Sequence, residues 1–384
     1  MDFKLDSEQQ LLQDSVRRFI DKAYGFEARA AMLKAREEGR HWLTFADNGW
    51  LAAALPEAFG GLGGTLVDTA IIAHEFGRGL VIEPWLGCAV LAAQTLVAGG
   101  SAAQQEQLLP LLSDGSRRIA LAYSEPQSRG MPGPVALQAQ PVGGGHVLSG
   151  RKSLVLGARD ADAFIVSARA SNKSATSDDI TLLLVDADSA GLQRQALPLH
   201  DGSWAEELVF RDVHVGADAV LGMPGQGRAA LQAGLAHATV ALCAELVGVM
   251  EKAIEVTADY LKARQQFGVP IGSFQVLQHR MADMAGEMEL ARSMLFAALA
   301  AVENDDAGTQ QKTLSAAKAL VGRAARTVCG QAIQLHGGIG MTEEYLIGHY
   351  FKRAVVADLL LGSSERHEAA CAAALEFIEP AGWI

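Results

Sequence analysis

An arginine at the end of a long apolar run, followed three residues later by Phe-Gly, is the first place where this chain could do chemistry. The segment from Tyr260 to Met284 reads YLKARQQFGVPIGSFQVLQHRMADM. Arg264 closes a helical pattern that Gly268 and Pro270 stop. A cation there complements the helix dipole, and its planar fork equally suits the oxygens of a pyrophosphate. Gln275 and Gln278 add amides a few residues on. The second place is His336-Gly337-Gly338-Ile339-Gly340, within QLHGGIGMTEEY from Gln334 to Tyr345. Bare glycines let a backbone approach a ligand closely. A helix and not a strand precedes them, so the dinucleotide-binding strand–turn–helix is excluded. The nearby acids are Glu245, Asp358 and Glu365. Glu245 lies between Leu242 and Leu246 on an apolar helix, where a buried, paired glutamate is the first reading and a proton-accepting base the second. His336 and His367 read as structural or surface histidines.

These residues need long helices to hold them. Leu242, Leu246, Val249, Met250, Ala253, Val256 and Tyr260 follow a 3.6-residue period. So do Phe274, Leu277, Met281, Met284, Met288 and Leu295, and again Leu314, Ala317, Leu320, Val321 and Val328. Three apolar stripes of this length predict a helical bundle over 226–384. The middle, 118–225, changes character. IALAY at 119–123, HVLSG at 146–150, AFIVSAR at 163–169, ITLLLVD at 180–186 and EELVF at 207–211 alternate with loops such as QPVGGGH and SNKSATSDD. That spacing predicts a small antiparallel β-domain. The first part, 1–117, reads as helices. One starts near Asp6 or Ser7 and carries Leu11, Leu12, Val16, Phe19 and Ile20; another runs from about Thr65. Gly60, Gly61, Gly63 and Gly64 separate them, and Pro110 with the following DGS closes the region.

The 384 residues are 49% hydrophobic and 20% charged, enough for two or three cores. A net charge of −12 disfavours non-specific nucleic-acid binding. Cys88, Cys243, Cys329 and Cys371 lie far apart, which suits reduced buried thiols in a cytoplasmic protein and neither a disulfide framework nor a metal site. The opening MDFKLDSEQQ is polar, unlike a signal segment, and no membrane span is predicted.

Through these two motifs and the order of its helical and β regions, the chain resembles the acyl-CoA dehydrogenase family over nearly its whole length. The resemblance implies an α+β architecture: an N-terminal helical domain, a middle β-domain and a C-terminal four-helix-bundle domain. It implies FAD as cofactor, α,β-desaturation of an acyl-CoA thioester, electron-transfer flavoprotein as acceptor, and a tetramer. Arg264, Phe267, Gln275, Gln334, Gly337 and Gly338 match the segments that hold the ADP half of FAD, across a subunit interface. Ser363 and Glu365 match further cofactor contacts, and Ser124 in Ser124-Glu125-Pro126 matches a flavin-facing hydroxyl.

The same resemblance exposes departures. The family's base falls at Leu361 or at Ala238 and Thr239, none of them acidic. Its flavin-packing W-I-T-N is Leu154, Val155, Leu156 and Gly157 here. EPQSR at 125–129, ALCAELVGVMEKA at 241–253 and IGHYFKRA at 347–354 resemble the small-subunit type of bacterial pimeloyl-CoA dehydrogenase, one half of an α2β2 enzyme. That implies a chain without its own base, acting with a paralogous subunit on a fatty, dicarboxylic or steroid acyl-CoA. The alternatives are a homo-oligomer using Glu245 as a relocated acid, or a flavin-free interaction protein on the same scaffold.

Overall fold

The computed structural model describes residues 4–37, 39–170 and 179–375. The expected loop at 171–178 and the last residues, 376–384, lie outside the described residues.

Six α-helices come first: α1 (Ser7–Ala23), α2 (Phe26–Ala35), α3 (Trp42–Asp47), α4 (Leu66–Gly79), α5 (Ala93–Gly99) and α6 (Ala102–Ser113). Asp6 caps α1 and Thr65 caps α4, each with a reciprocal capping box, so both starts follow the local rule. A π-helical stretch, Leu86–Ala92, leads into α5. Pro110 lies inside α6 and does not end it.

The middle region contains β1 (Ile119–Ala122), β2 (Gln138–Val142), β3 (Gly145–Leu156), β4 (Ala163–Ala170), β5 (Thr181–Asp186), β6 (Leu192–Pro198) and β7 (Trp204–Gly216). They form one sheet in the order β1-β4-β2-β3-β7-β6, with β5 beside β4. The expected antiparallel pairing holds for β2–β3, β3–β7, β4–β5 and β6–β7. It fails for β1 and β2, which both run parallel to β4. Each of those pairs is joined by a long excursion, which is what a parallel pairing requires. Strands β2 and β6 escape the sequence pattern because both are polar and largely exposed.

Helices α7 (Arg228–Ala263), α8 (Gln275–Asn304), α9 (Ala307–His336), α10 (Ile347–Leu359) and α11 (Ser364–Ala373) complete the chain. The three long stripes fall on α7, α8 and α9, which pack on one another as expected. Helix α7 is long and apolar enough to cross a membrane, but its most apolar window is 89% buried inside the fold. It therefore satisfies its apolar surface against protein. Two glycines set how closely α4 lies on it. A Cβ at Gly77 would stand 2.0 Å from the Glu245 carbonyl oxygen, and one at Gly248 2.0 Å from that of His74. Backbone touches backbone there, which fixes the N-terminal helices against the bundle.

Candidate active site and cofactor-holding helix ends

The turn between α10 and α11 is the centre of the candidate site. Leu361 has φ 57° and Gly362 φ 97°. A left-handed leucine costs on the order of 1–2 kcal/mol, so something must hold it. Lys318, fully buried on α9, donates from Nζ to the carbonyl oxygens of Asp358 (2.8 Å) and Gly362 (3.0 Å). The Asp358 carboxylate takes Arg326 at 3.2 Å and the Ser364 hydroxyl. His367 Nε2 lies 3.0 Å from the Leu361 carbonyl oxygen, and its Nδ1 lies 3.2 Å from Ser315 Oγ. Donation to a carbonyl requires the Nε2–H tautomer, so Nδ1 accepts from the serine. Burial pushes the His367 imidazole toward its neutral form.

Leu361 lines an open cleft that Thr239 of α7 also lines. The other walls include Met131, Leu235, Ala236 and Leu314. Ala238, beside Thr239, is fully buried. Among the described residues no carboxylate lines this cleft; His367 is the one titratable group there, and both its nitrogens are engaged. Glu245, the relocated-acid candidate, lies elsewhere, paired with Arg353 at 2.5 and 3.0 Å. Arg353 also holds Asp201 at 2.8 Å. To act as a base Glu245 would have to give up a buried charge pair, which disfavours that role.

The Ser124 hydroxyl oxygen accepts the Gly130 N–H at 3.1 Å, and the residue is buried. Behind it Lys152, fully buried, reaches Glu125 at 2.8 Å. Burial pushes that ammonium down to about 8 even with Glu125 beside it. Burial alone would raise Glu125, but Lys152 and the Ala136 and Leu137 N–H groups keep it below its usual range. Leu154 sits at φ 53° in a β-bulge opposite β7 and Leu156 ends β3, so apolar side chains replace any ring or hydroxyl at those positions.

The helix ends present a different surface. The α7 C-terminus and the α9 C-terminus meet where Tyr260 stacks on His336 at 4.4 Å and donates to its carbonyl oxygen. Arg264, one turn beyond Tyr260, is exposed, and its guanidinium has no partner among the described residues. Phe267 is 91% exposed. Gln275 and Gln334 are exposed as well. Gly337 adopts φ 65° and ψ −139°, a region open essentially to glycine alone. Gly338 has no positive φ, and a Cβ on either glycine would meet nothing within 4 Å. Nothing in this chain needs a glycine at 338. Ser363 stands at the N-cap position of α11 without a side-chain capping bond, and Glu365, exposed, lies 3.7 Å from Arg326.

Three family models cover the chain: the acyl-CoA dehydrogenase N-terminal domain over residues 6–116, the middle domain over 120–213 and the C-terminal domain over 225–376. The chain belongs to the acyl-CoA dehydrogenase family. This acyl-CoA dehydrogenase is 32% identical to the mitochondrial isovaleryl-CoA dehydrogenase of Solanum tuberosum, over 84% of this chain and 79% of the relative. Among solved structures it is similar to the Tcur3481-Tcur3483 steroid ACAD, with TM-score 0.85, 32% identity and coverage of 95% and 97%. It is also similar to the ChsE4-ChsE5 complex from Mycobacterium tuberculosis, with TM-score 0.88, 26% identity and coverage of 97% and 98%. The three-domain architecture is thus that of the family, and its cofactor is FAD.

The residues present fit the ADP half of that cofactor. A free arginine fork, an exposed aromatic ring and two unopposed glycines stand on adjoining helix ends. The fit at the flavin-facing strand is poorer, since Leu154 and Leu156 offer only apolar contact. Sequence reasoning missed one residue with functional character, Glu83. It is a buried carboxylate between α4 and the π-helical stretch, and its Oε2 has no hydrogen-bond partner among the described residues. Its only sequence signal is an acid placed directly after the apolar pair Val81-Ile82.

Proposed function

We propose that this acyl-CoA dehydrogenase chain is the base-less subunit of a heteromeric enzyme. It would act in the cytoplasm with a paralogous partner in an α2β2 assembly, of the type its resemblance to the small subunit of pimeloyl-CoA dehydrogenase implies. The carrying observation is the cleft at Leu361: both usual base positions face or border it, and no carboxylate lines it. The clamp of Lys318 and His367 keeps the turn that would present a base, while the side chain it presents is apolar. Two neighbours support a divided enzyme, since their names describe paired chains.

In this reading Arg264 binds phosphate oxygens through its fork, and Gln275 and Gln334 add amide contacts. Gly337 and Gly338 let the backbone lie against the ADP moiety, and Ser363 and Glu365 extend the contact at α11. The partner's β-domain receives the isoalloxazine in place of Ser124, Leu154 and Leu156, and the partner supplies the carboxylate that removes the α-proton. FAD, when bound, supplies the hydride acceptor and passes electrons to an electron-transfer flavoprotein. The chain's own work is to grip the cofactor and exclude water from the shared interface.

Mass measurement with flavin counting tests this. Co-expression with the paralogous subunit should give a yellow tetramer carrying half as many FAD as chains. A yellow homotetramer of this chain with one FAD per chain would overturn the reading.

A further inference from the structure

Arg29, on α2, is 5% exposed, and among the described residues no carboxylate lies within salt-bridge distance of it. Its Nε donates to the Leu80 carbonyl oxygen at 2.8 Å. Its other contacts are longer: the Asp201 carbonyl oxygen at 3.3 Å and His349 Nδ1 at 3.4 Å. A guanidinium has five N–H donors and can only donate, so His349 accepts through Nδ1, and its Nε2 donates to the Glu343 carbonyl oxygen at 3.2 Å. The Asp201 carboxylate is not available, because Arg353 holds it at 2.8 Å. Burial pushes the Arg29 guanidinium down to about 10, so it stays charged near neutrality. A buried charge without a counter-charge is costly and calls for an explanation.

Its surroundings supply one. Arg29 lines a cleft between α1, α2, the end of α4 and α10, together with Tyr24, Gly25 and Phe26. Tyr24 is 6% exposed, and its hydroxyl has no hydrogen-bond partner among the described residues. Gly25 is the N-cap residue of α2, a ten-residue helix, and no side chain caps that end. The first N–H groups of a helix lack partners within it and carry the positive end of its dipole. Gly25 has an ordinary φ of −54°, and a Cβ on it would meet nothing within 4 Å, so nothing in the chain requires a glycine there. The other cations of the cleft are committed. Arg17 holds Glu75 at 2.7 and 3.0 Å, Arg78 holds Glu251 at 2.5 Å and Glu255 at 3.0 Å, and Lys252 holds Glu255 at 2.5 Å. Of the two carboxylates that line it, Glu75 is thus neutralised and Asp21 is exposed to solvent. Glu27, in the first turn of α2, is exposed as well.

We propose that this cleft is a phosphate-binding site, in which the Arg29 guanidinium, the Tyr24 hydroxyl and the open N-terminus of α2 all donate to one phosphate group. Helix N-termini favour anions through their free N–H groups and their dipole. Arginine adds a charge-assisted contact of fixed geometry. Donors of three kinds, on two consecutive helices, suit a tetrahedral group with several acceptor oxygens better than a planar carboxylate with two. The bound charge would also supply the counter-charge that Arg29 lacks. The site is built from the N-terminal region and the α10 helix, and it owes nothing to the helix ends at Arg264 and Gly337 or to the cleft at Leu361.

The test titrates inorganic phosphate, glycerol 3-phosphate and acetate calorimetrically into the full chain in its native assembly. FAD is present in excess, so that the helix ends at Arg264 are occupied. Inorganic phosphate should bind the wild type and raise its thermal midpoint. Tyr24→Phe, which removes only the hydroxyl, should weaken phosphate roughly three- to tenfold. Arg29→Met, which keeps an apolar stem, should weaken it by more than about tenfold. Gly25→Asp keeps the test decisive if loss of the buried arginine unfolds the chain. An aspartate at the N-cap offers its own carboxylate to the same N–H groups, so it should abolish phosphate binding while the thermal midpoint in phosphate-free buffer stays level or rises. Glycerol 3-phosphate binding more tightly than inorganic phosphate assigns the site to a phosphate ester, and the reverse order assigns it to the free ion. Acetate should bind more weakly than both. No phosphate binding to the wild type would overturn the proposal. So would equal phosphate affinity in wild type, Tyr24→Phe and Gly25→Asp, or acetate binding more tightly than either phosphate.

Discussion

The turn at Leu361 and the helix ends at Arg264 and Gly338 are built on opposite principles. Around Leu361 polar groups are paired within the chain: Lys318 with two carbonyls, Asp358 with Arg326 and Ser364, His367 with Leu361 and Ser315. Around Arg264 the backbone is bonded, but the side chains that face outward are not. The guanidinium is unpartnered among the described residues, Phe267 lies open, and Gly337 and Gly338 guard empty space. A region closed on itself does structural work, and a region left open waits for something outside the chain. The difference fits the proposed division, in which this chain would grip a cofactor and a partner would perform the proton transfer.

The strongest way to break that comparison is to measure turnover. Loss of a general base costs on the order of 10²–10⁴-fold, so the isolated, FAD-supplemented chain should desaturate acyl-CoA more slowly than the heteromer by at least that factor. Steady-state assay with an electron-transfer flavoprotein checks it. Leu361→Glu places a carboxylate on the retained turn, and a rise in rate would sharpen the point. Full activity of the unaltered chain would break it.

Next comes the closed region's own energetics. Glu245→Ala leaves Arg353 buried with Asp201 as its only carboxylate, at a cost of about 3 kcal/mol or more in unfolding free energy. Denaturant titration should show that loss, while activity per folded molecule of the heteromer stays unchanged. A selective fall in turnover would return Glu245 to the list of acids.

Glu83 tests whether an unpartnered group can also sit in the interior. Its folded-state carboxyl titrates near 7, above its unfolded value. The stability it contributes is therefore fully present below the unfolded value, near 4.5, and is lost as pH rises through about 7. The slope should amount to about 3 kcal/mol at most and disappear in Glu83→Gln, as followed by denaturation across that window.

The smallest effect concerns the open region. Arg264→Ala should weaken FAD binding to the heteromer by about 2 kcal/mol, a charge-assisted contact, and cost the fold well under about 1 kcal/mol. FAD titration against thermal melting separates the two, and the reverse pattern would make Arg264 a mere helix terminator.

Much of this was legible in the sequence because it repeats with a period. The stripes of α7, α8 and α9 and the Asp6 cap follow local rules. The glycine break after α9 was legible too, and Gly337 at φ 65° is the position there that needs a glycine. Strands β2 and β6 were not legible, since exposed polar strands carry no burial pattern. The parallel partners of β4 were hidden because pairing direction depends on the path of the intervening chain. Glu83 was hidden for a deeper reason: whether a carboxylate is paired is decided by residues far away in sequence. Here Arg118 comes near enough to act on its charge but not to bond it.

The contact at Gly77 and Gly248 limits how the molecule can breathe. With a helix backbone of the N-terminal region resting on α7, no hinge between them can swing without prying apart surfaces that have no side chain to yield. Any larger opening of the cleft at Leu361, or of the one that Glu83 lines, then falls to the middle β-region, whose Met131, Leu156 and Trp204 form the remaining walls.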